Sequence, residues 1–98
     1  MKGYDFLEPA QIELEEGVRY FNEQQAGLGD EFAKEVSDTI ARILRYPDAW
    51  TQLSKRTRRC RTGRFPYGVI YQIRGAKILI VAIMHLHRNP FIDATALR

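Results

Sequence analysis

Apolar positions recur at helical spacing in the first half of the chain and at strand spacing in the second. Ala10, Leu14, Gly17, Val18 and Phe21 form one stripe, with Glu13, Glu15, Glu16 and Glu23 off it. Pro9 sits where a first helical turn tolerates it, and Gly27 and Gly29 are expected to end this helix in a tight turn. A second helix is predicted from about Asp30, with Phe32, Val36, Ile40, Ile43 and Leu44 inward and Pro47 as its stop. Together the two make a helical hairpin. Ahead of them, Tyr4 and Phe6 alternate with Asp5, the pattern of a short edge strand.

After Pro47 the period changes. Residues 56–65 read as a basic segment in extended conformation. Val69, Tyr71 and Ile73 share one face of a strand over residues 68–74, and Gly75-Ala76 reads as a hairpin turn. Residues 77–87 form the strongest strand candidate. Their apolar run, residues 78–84, predicts a central strand covered on both faces. The expected order is β-α-α-β-β-β. This is an α+β fold in which a short N-terminal strand and a helical hairpin pack on a mainly antiparallel sheet.

With 98 residues, one domain spanning residues 1–98 is expected, since a second core would not fit. No apolar run is long enough to cross a bilayer. The N-terminus lacks the apolar segment of a signal peptide, so a cytoplasmic location and no membrane partner are expected. One cysteine, Cys60, cannot form an internal disulfide, which agrees with a reducing compartment. Charge is divided between the halves. Residues 1–50 carry five Lys/Arg against eleven Asp/Glu, a balance of −6. Residues 51–98 carry ten Lys/Arg against one acid, Asp93, a balance of +9. Such a division marks either an anion-facing surface or an acidic helical half beside a basic sheet.

Candidate chemistry is concentrated in the basic half. Arg56, Arg58 and Arg64 fall on one parity of an extended strand, Arg59 and Arg61 on the other. They form either a phosphate- or carboxylate-binding track or a row of charges that protects a sheet edge. His85, His87 and Arg88 close the last strand. They are either an ordinary strand end stopped by Pro90 or a group able to move protons and neutralise developing charge. Two histidines and one cysteine do not supply a tetrahedral metal set, so neither metal nor other cofactor is expected. Trp50, Tyr20, Phe21, Tyr46 and Tyr71 sit on or next to apolar faces, core packing is the better reading for most of them, and no aromatic ladder for stacking bases is evident.

In their order and spacing these segments resemble the RelE/ParE toxin superfamily. The resemblance rests on Glu31-Phe32 after Gly27-Leu28-Gly29, and on Ile43 followed by Tyr46-Pro47. It continues through Arg58-Arg59, Phe65-Pro66-Tyr67-Gly68-Val69-Ile70-Tyr71 and the 78–83 strand, ending in His85-Leu86-His87-Arg88-Asn89-Pro90. It implies the toxin of a bacterial type II toxin–antitoxin pair, neutralised by an acidic antitoxin that folds on binding, and it allows a hetero-oligomer with that antitoxin. The basic residues Arg56, Arg58, Arg59, Arg61 and Arg64 would contact this partner.

Two activities occur in the superfamily. RelE-like members are metal-free, ribosome-dependent mRNA endonucleases; here Arg59, Arg61, His85, His87 and Arg88 would form that site. ParE-like members inhibit DNA gyrase. The nuclease branch commonly has an arginine directly after the tyrosine, where this chain has Gly68, and a tyrosine near the C-terminus, where it offers Ala94. Both departures, and the plasmid-stabilisation character of the motifs, incline the resemblance to the ParE-like branch. An inactive antitoxin-binding remnant is the third reading.

Overall fold

The computed structural model describes residues 3–87. Strand β1 (Gly3–Phe6) leads into helix α1 (Glu8–Gln24), which starts with Pro9 in its first turn. Helix α2 (Leu28–Arg45) follows after two further turn residues and Gly27, whose φ of 87° suits only glycine well. Acidic Asp30 and Glu31 occupy the first turn of α2 and basic Arg42 and Arg45 its last, so both ends complement the helix dipole. The strands β2 (Thr51–Gln52), β3 (Arg58–Arg61), β4 (Tyr67–Arg74) and β5 (Lys77–His85) complete the chain. Among the described residues they form one sheet in the order β1-β5-β4-β3-β2. The β1–β5 pair is parallel and the other pairs antiparallel. This is the expected α+β arrangement, with the two-residue β2 as an addition.

Gly29 does not end α1. It is buried in the first turn of α2, where its N–H donates to Asn22 Oδ1 at 2.8 Å. A Cβ there would collide with the Val18 carbonyl oxygen and the Asn22 amide. At Gly17 a Cβ would stand 2.6 Å from the Phe32 ring. The two helices therefore approach through two glycines, and Phe32 fills the space left at Gly17. Phe32, Val36, Ile40 and Ile43 of α2 meet Val69, Tyr71, Ile78, Ile80 and Ile83 of the sheet in one core, as the stripe on α2 predicts.

β5 is not covered on both faces. Ile78, Ile80 and Ile83 are buried, whereas Leu79, Val81, Ala82 and Met84 are half-buried. The skipped register has a physical cause. Ile70 pairs with Ala82 but Tyr71 with Ile80, so Val81 is a bulged residue without a partner on β4. Past the bulge the inward parity shifts by one, and Ile83 rather than Ala82 enters the core. The apolar run thus reflects a change of face within one strand. It also ends earlier than expected: His85 closes β5, and His87 lies in the following turn.

β1 covers only part of β5. Its register runs to Phe6 against Ile80, and Leu7 N–H adds one bond to the Ile80 carbonyl. Beyond that point the Ile83 N–H would face α1 unpaired. Glu13 supplies the acceptor, with Oε1 at 2.8 Å. A glutamate off the apolar stripe of α1 thus reaches into the helix–sheet junction. Burial raises its pKa above the ordinary carboxylate value, the Ile83 N–H opposes that rise, and Glu16 adds to it. A carboxyl with a raised folded-state pKa contributes stability in acid that is lost as pH rises through that value.

Three substitutions test this packing. Glu13→Gln keeps an acceptor without the charge. Its melting temperature at neutral pH should match or exceed that of the parent, with the difference closing on acidification. Glu13→Ala leaves a partly buried N–H unmet and should lose about 1–3 kcal/mol in urea titration. Gly29→Ala separates propensity from packing. Propensity alone would stabilise α2 by about 1 kcal/mol, whereas the collision with Val18 and Asn22 should destabilise the fold by about 1–3 kcal/mol. A more stable Gly29→Ala protein would refute the close approach.

Candidate functional site

Strand pleating decides where the arginines go. Cys60 is buried in the core, so its neighbours Arg59 and Arg61 point to the sheet face away from the helices. Arg59 pairs with Ile70 and lays its stem over Gly68. A Cβ on Gly68 would lie 2.9 Å from Arg59 Cγ and 3.2 Å from Leu86 Cδ2. The absence of a side chain at position 68 is what lets Arg59 lie flat. Its Nε is buried without a hydrogen-bond partner among the described residues, an arrangement that costs about 1–3 kcal/mol. Arg61 pairs with Gly68 beside it and is exposed, while its carbonyl accepts from Arg42 Nη2 at 3.2 Å.

Arg58 has the opposite parity and a structural task. Its Nη1 donates to the carbonyls of Asp48 and Trp50, at 3.1 and 2.9 Å. Tyr71, its partner across the strands, donates its hydroxyl to the Pro47 carbonyl. Burial pushes that phenol up to about 12, partly opposed by Arg58, so it remains a donor at any physiological pH. The two side chains pin the segment that leaves α2. Arg64 lies in the β3–β4 connection, paired with Glu31 at 2.6 Å and stacked over Phe65 at 5.3 Å. Both members of that pair are largely exposed, so it contributes little to stability.

His85 stands on the other side of the sheet from Arg59 and Arg61. It pairs with Tyr67, with ring centroids 5.0 Å apart, and Tyr67 in turn packs 4.7 Å from Phe32 of α2. The His87 N–H donates to His85 Nδ1 at 3.0 Å, which places the neutral ring's proton on Nε2. The His87 ring is exposed, 6.1 Å from that of His85. Arg88 lies outside the described residues, as do Asp93 and Ala94. The structure therefore gathers Arg59, Arg61, Gly68 and Leu86 on one face. It groups His85 with Tyr67 on the other and sends Arg58 and Arg64 to separate contacts.

Arg56 belongs to a different place, one that the sequence reading did not isolate. At the end of the sheet away from His85, Asp48, Lys55, Arg56, Arg58 and Arg74 line a cleft of about 280 Å³. Its wall is the β2–β3 turn, closed by Leu53 and Ser54 N–H donors to the Thr57 carbonyl. The signal in the sequence was the polar Thr51-Gln52 and Thr57 flanking Lys55-Arg56, too short to read as a hairpin. Among the described residues no group of three His, Cys, Asp or Glu is placed to hold a metal ion. No described helix is long and apolar enough to cross a membrane.

Comparison with known proteins places this geometry. No curated protein sequence matches the chain significantly. In fold, it is similar to a chain of the chromosomal ParDE toxin–antitoxin system from P. aeruginosa, with a TM-score of 0.78. That match covers 89% of this chain and 98% of that one at 11% identity. The isolated E. coli RelE toxin is also similar, with a TM-score of 0.68, covering 100% of this chain and 98% of that one at 14% identity. At these identities the likeness is one of fold. The profile of the ParE toxin of the type II toxin–antitoxin system parDE matches residues 4–90. The RelE/ParE resemblance read from the motifs therefore holds, and the chain belongs to the ParE toxin family.

Proposed function

We propose that this protein is a type II toxin that arrests growth by binding DNA gyrase, and that an acidic antitoxin silences it by covering Arg59 and Arg61. The observation that carries the reading is the separation of His85 from the two arginines by the thickness of the sheet. Cleavage by a ribose 2′-hydroxyl needs a base, an acid and charge neutralisation at one phosphate. Arg59 and Arg61 can neutralise charge, but the described histidine of β5 opens toward the helices. Arg59 and Leu86 both crowd the space over Gly68, which makes this face cationic and partly apolar. Such a surface suits protein contact more than a reaction centre. Arg61, exposed on the same face, supports a partner carboxylate there, since its guanidinium can donate two parallel N–H groups to both carboxylate oxygens.

The nuclease alternative draws on the likeness to the RelE fold and would use Arg59, Arg61, Arg88 and His85 or His87. The two mechanisms part in a simple experiment. Induction in a bacterial host without the antitoxin should stop growth and raise a DNA-damage response, with mRNA intact by primer extension. Site-specific mRNA cuts within minutes of induction would favour the nuclease. Unimpaired growth with folded toxin present would favour the remnant.

The antitoxin surface is tested separately. Arg59→Ala and Arg61→Ala should each weaken antitoxin binding by about 1.5–3 kcal/mol, roughly ten- to a hundredfold in Kd. Glu15→Ala and Glu16→Ala, on the exposed side of α1, should change it little. Equal losses at both places in a binding titration would count against this geometry.

A further inference from the structure

The cleft at the far end of the sheet is built differently from the Arg59 face. Its walls carry four cations, Lys55, Arg56, Arg58 and Arg74, against one carboxylate, Asp48. Among the described residues none of the four is ion-paired, since the pairs join other groups. Two of the guanidinium groups are already held. Arg58 is fixed through Nη1 by the Asp48 and Trp50 carbonyls. Arg74 is fixed through Nε by Gln72 Oε1 at 3.0 Å. Holding them beforehand reduces the entropy a ligand would otherwise lose in ordering them. Charges that only protect a sheet edge point outward along a strand. These converge on one concave volume from the β2–β3 turn, β3 and the end of β4.

We propose that this cleft is a phosphate-binding site, taking the phosphate groups of a nucleotide or of a nucleic-acid backbone. The surplus of three positive charges identifies the ligand chemistry. A single carboxylate would balance one of them, whereas a phosphate monoester or a pair of linked phosphates carries about two or more negative charges. Guanidinium forks match phosphate oxygens in bidentate geometry, and the Lys55 ammonium adds a point charge. A volume of about 280 Å³ holds a compact anion and is too small for a helix or a strand of a partner protein. The cleft shares no side chain with the Arg59 and Arg61 surface, so it can be tested apart from that surface.

The test titrates the purified full-length chain with sodium pyrophosphate, with a short single-stranded oligonucleotide, and with a glutamate-rich peptide. Isothermal calorimetry reads affinity, and backbone amide shifts read location. The double variant Arg56→Gln/Arg74→Gln removes two exposed cleft cations and spares Arg58. It should weaken phosphate binding by about tenfold or more. The control Arg19→Gln/Lys34→Gln removes the same charge from the exposed helical side and should stay within about twofold of the parent. Binding of pyrophosphate that the oligonucleotide cannot displace assigns the site to small phosphates. Binding of the oligonucleotide with displacement by pyrophosphate assigns it to a nucleic-acid backbone. Should the cleft variant fail to fold, amide shifts of the parent at residues 54–57 and 72–75 decide. Absence of phosphate binding, binding of the acidic peptide alone, an equal loss in the charge-matched control, or shifts confined to other residues would overturn the proposal.

Discussion

The packing of Phe32 into the gap at Gly17 is the contact on which this end of the molecule depends. That ring lies 5.1 Å from Phe21, 5.3 Å from Phe65 and 4.7 Å from Tyr67, which joins both helices to the β3–β4 connection and the start of β4. Tilted and edge-on ring pairs at such distances add about 0.5–1.5 kcal/mol each beyond their buried area. The larger effect is geometric. With Tyr67 held against the helices, its cross-strand partner His85 must face them too. Gly68, one residue on, must then face away, and Arg61 and Arg59 with it. The division of the site between two faces is thus set by where one aromatic side chain packs.

Charge follows the same layering. The acidic half of the sequence forms the helices and the basic half the sheet, yet few ion pairs join them. Among the described residues, Arg64–Glu31 and Lys77–Asp5 link basic-half cations to first-half acids, and both are exposed. The helical acids therefore do little to neutralise the cations of the sheet. Most of those cations keep their field for a partner, and that field speeds association with anions more than it holds the fold together.

Much of this was legible in the sequence. The α2 stripe, the Gly75 turn and the alternation around Tyr71 each stated a local preference that the tertiary structure keeps. Parity likewise separated Arg58 from Arg59 and Arg61, although it could not say which set faced inward. Three features were hidden for physical reasons. β2 is two residues long and owes its pairing to β3 rather than to any pattern of its own. Gly29 looks like a helix terminator in isolation, and only its contact with Val18 and Asn22 shows a glycine needed inside a helix. The bulge at Val81 falls within an uninterrupted apolar run, where either register offers the core an acceptable side chain. The distal cleft was missed with β2, because Arg74 at the end of β4 is brought to Lys55, Arg56 and Arg58 only by the pairing of β3 with β4.

The parallel pairing of β1 with β5 has a consequence for how the molecule comes into being. Gly3 lies opposite Lys77 and Phe6 opposite Ile80, so among the described residues β1 pairs only with β5, the strand furthest from it along the chain. Chain closure over so many residues is slow relative to helix formation. A nascent chain leaves the ribosome with α1 and α2 made and their apolar faces uncovered until residues 77–85 have been translated. Completion of this fold therefore waits on β5, and a message cut short before it would yield the helical hairpin and strands β2–β4 without the strand that joins them to β1.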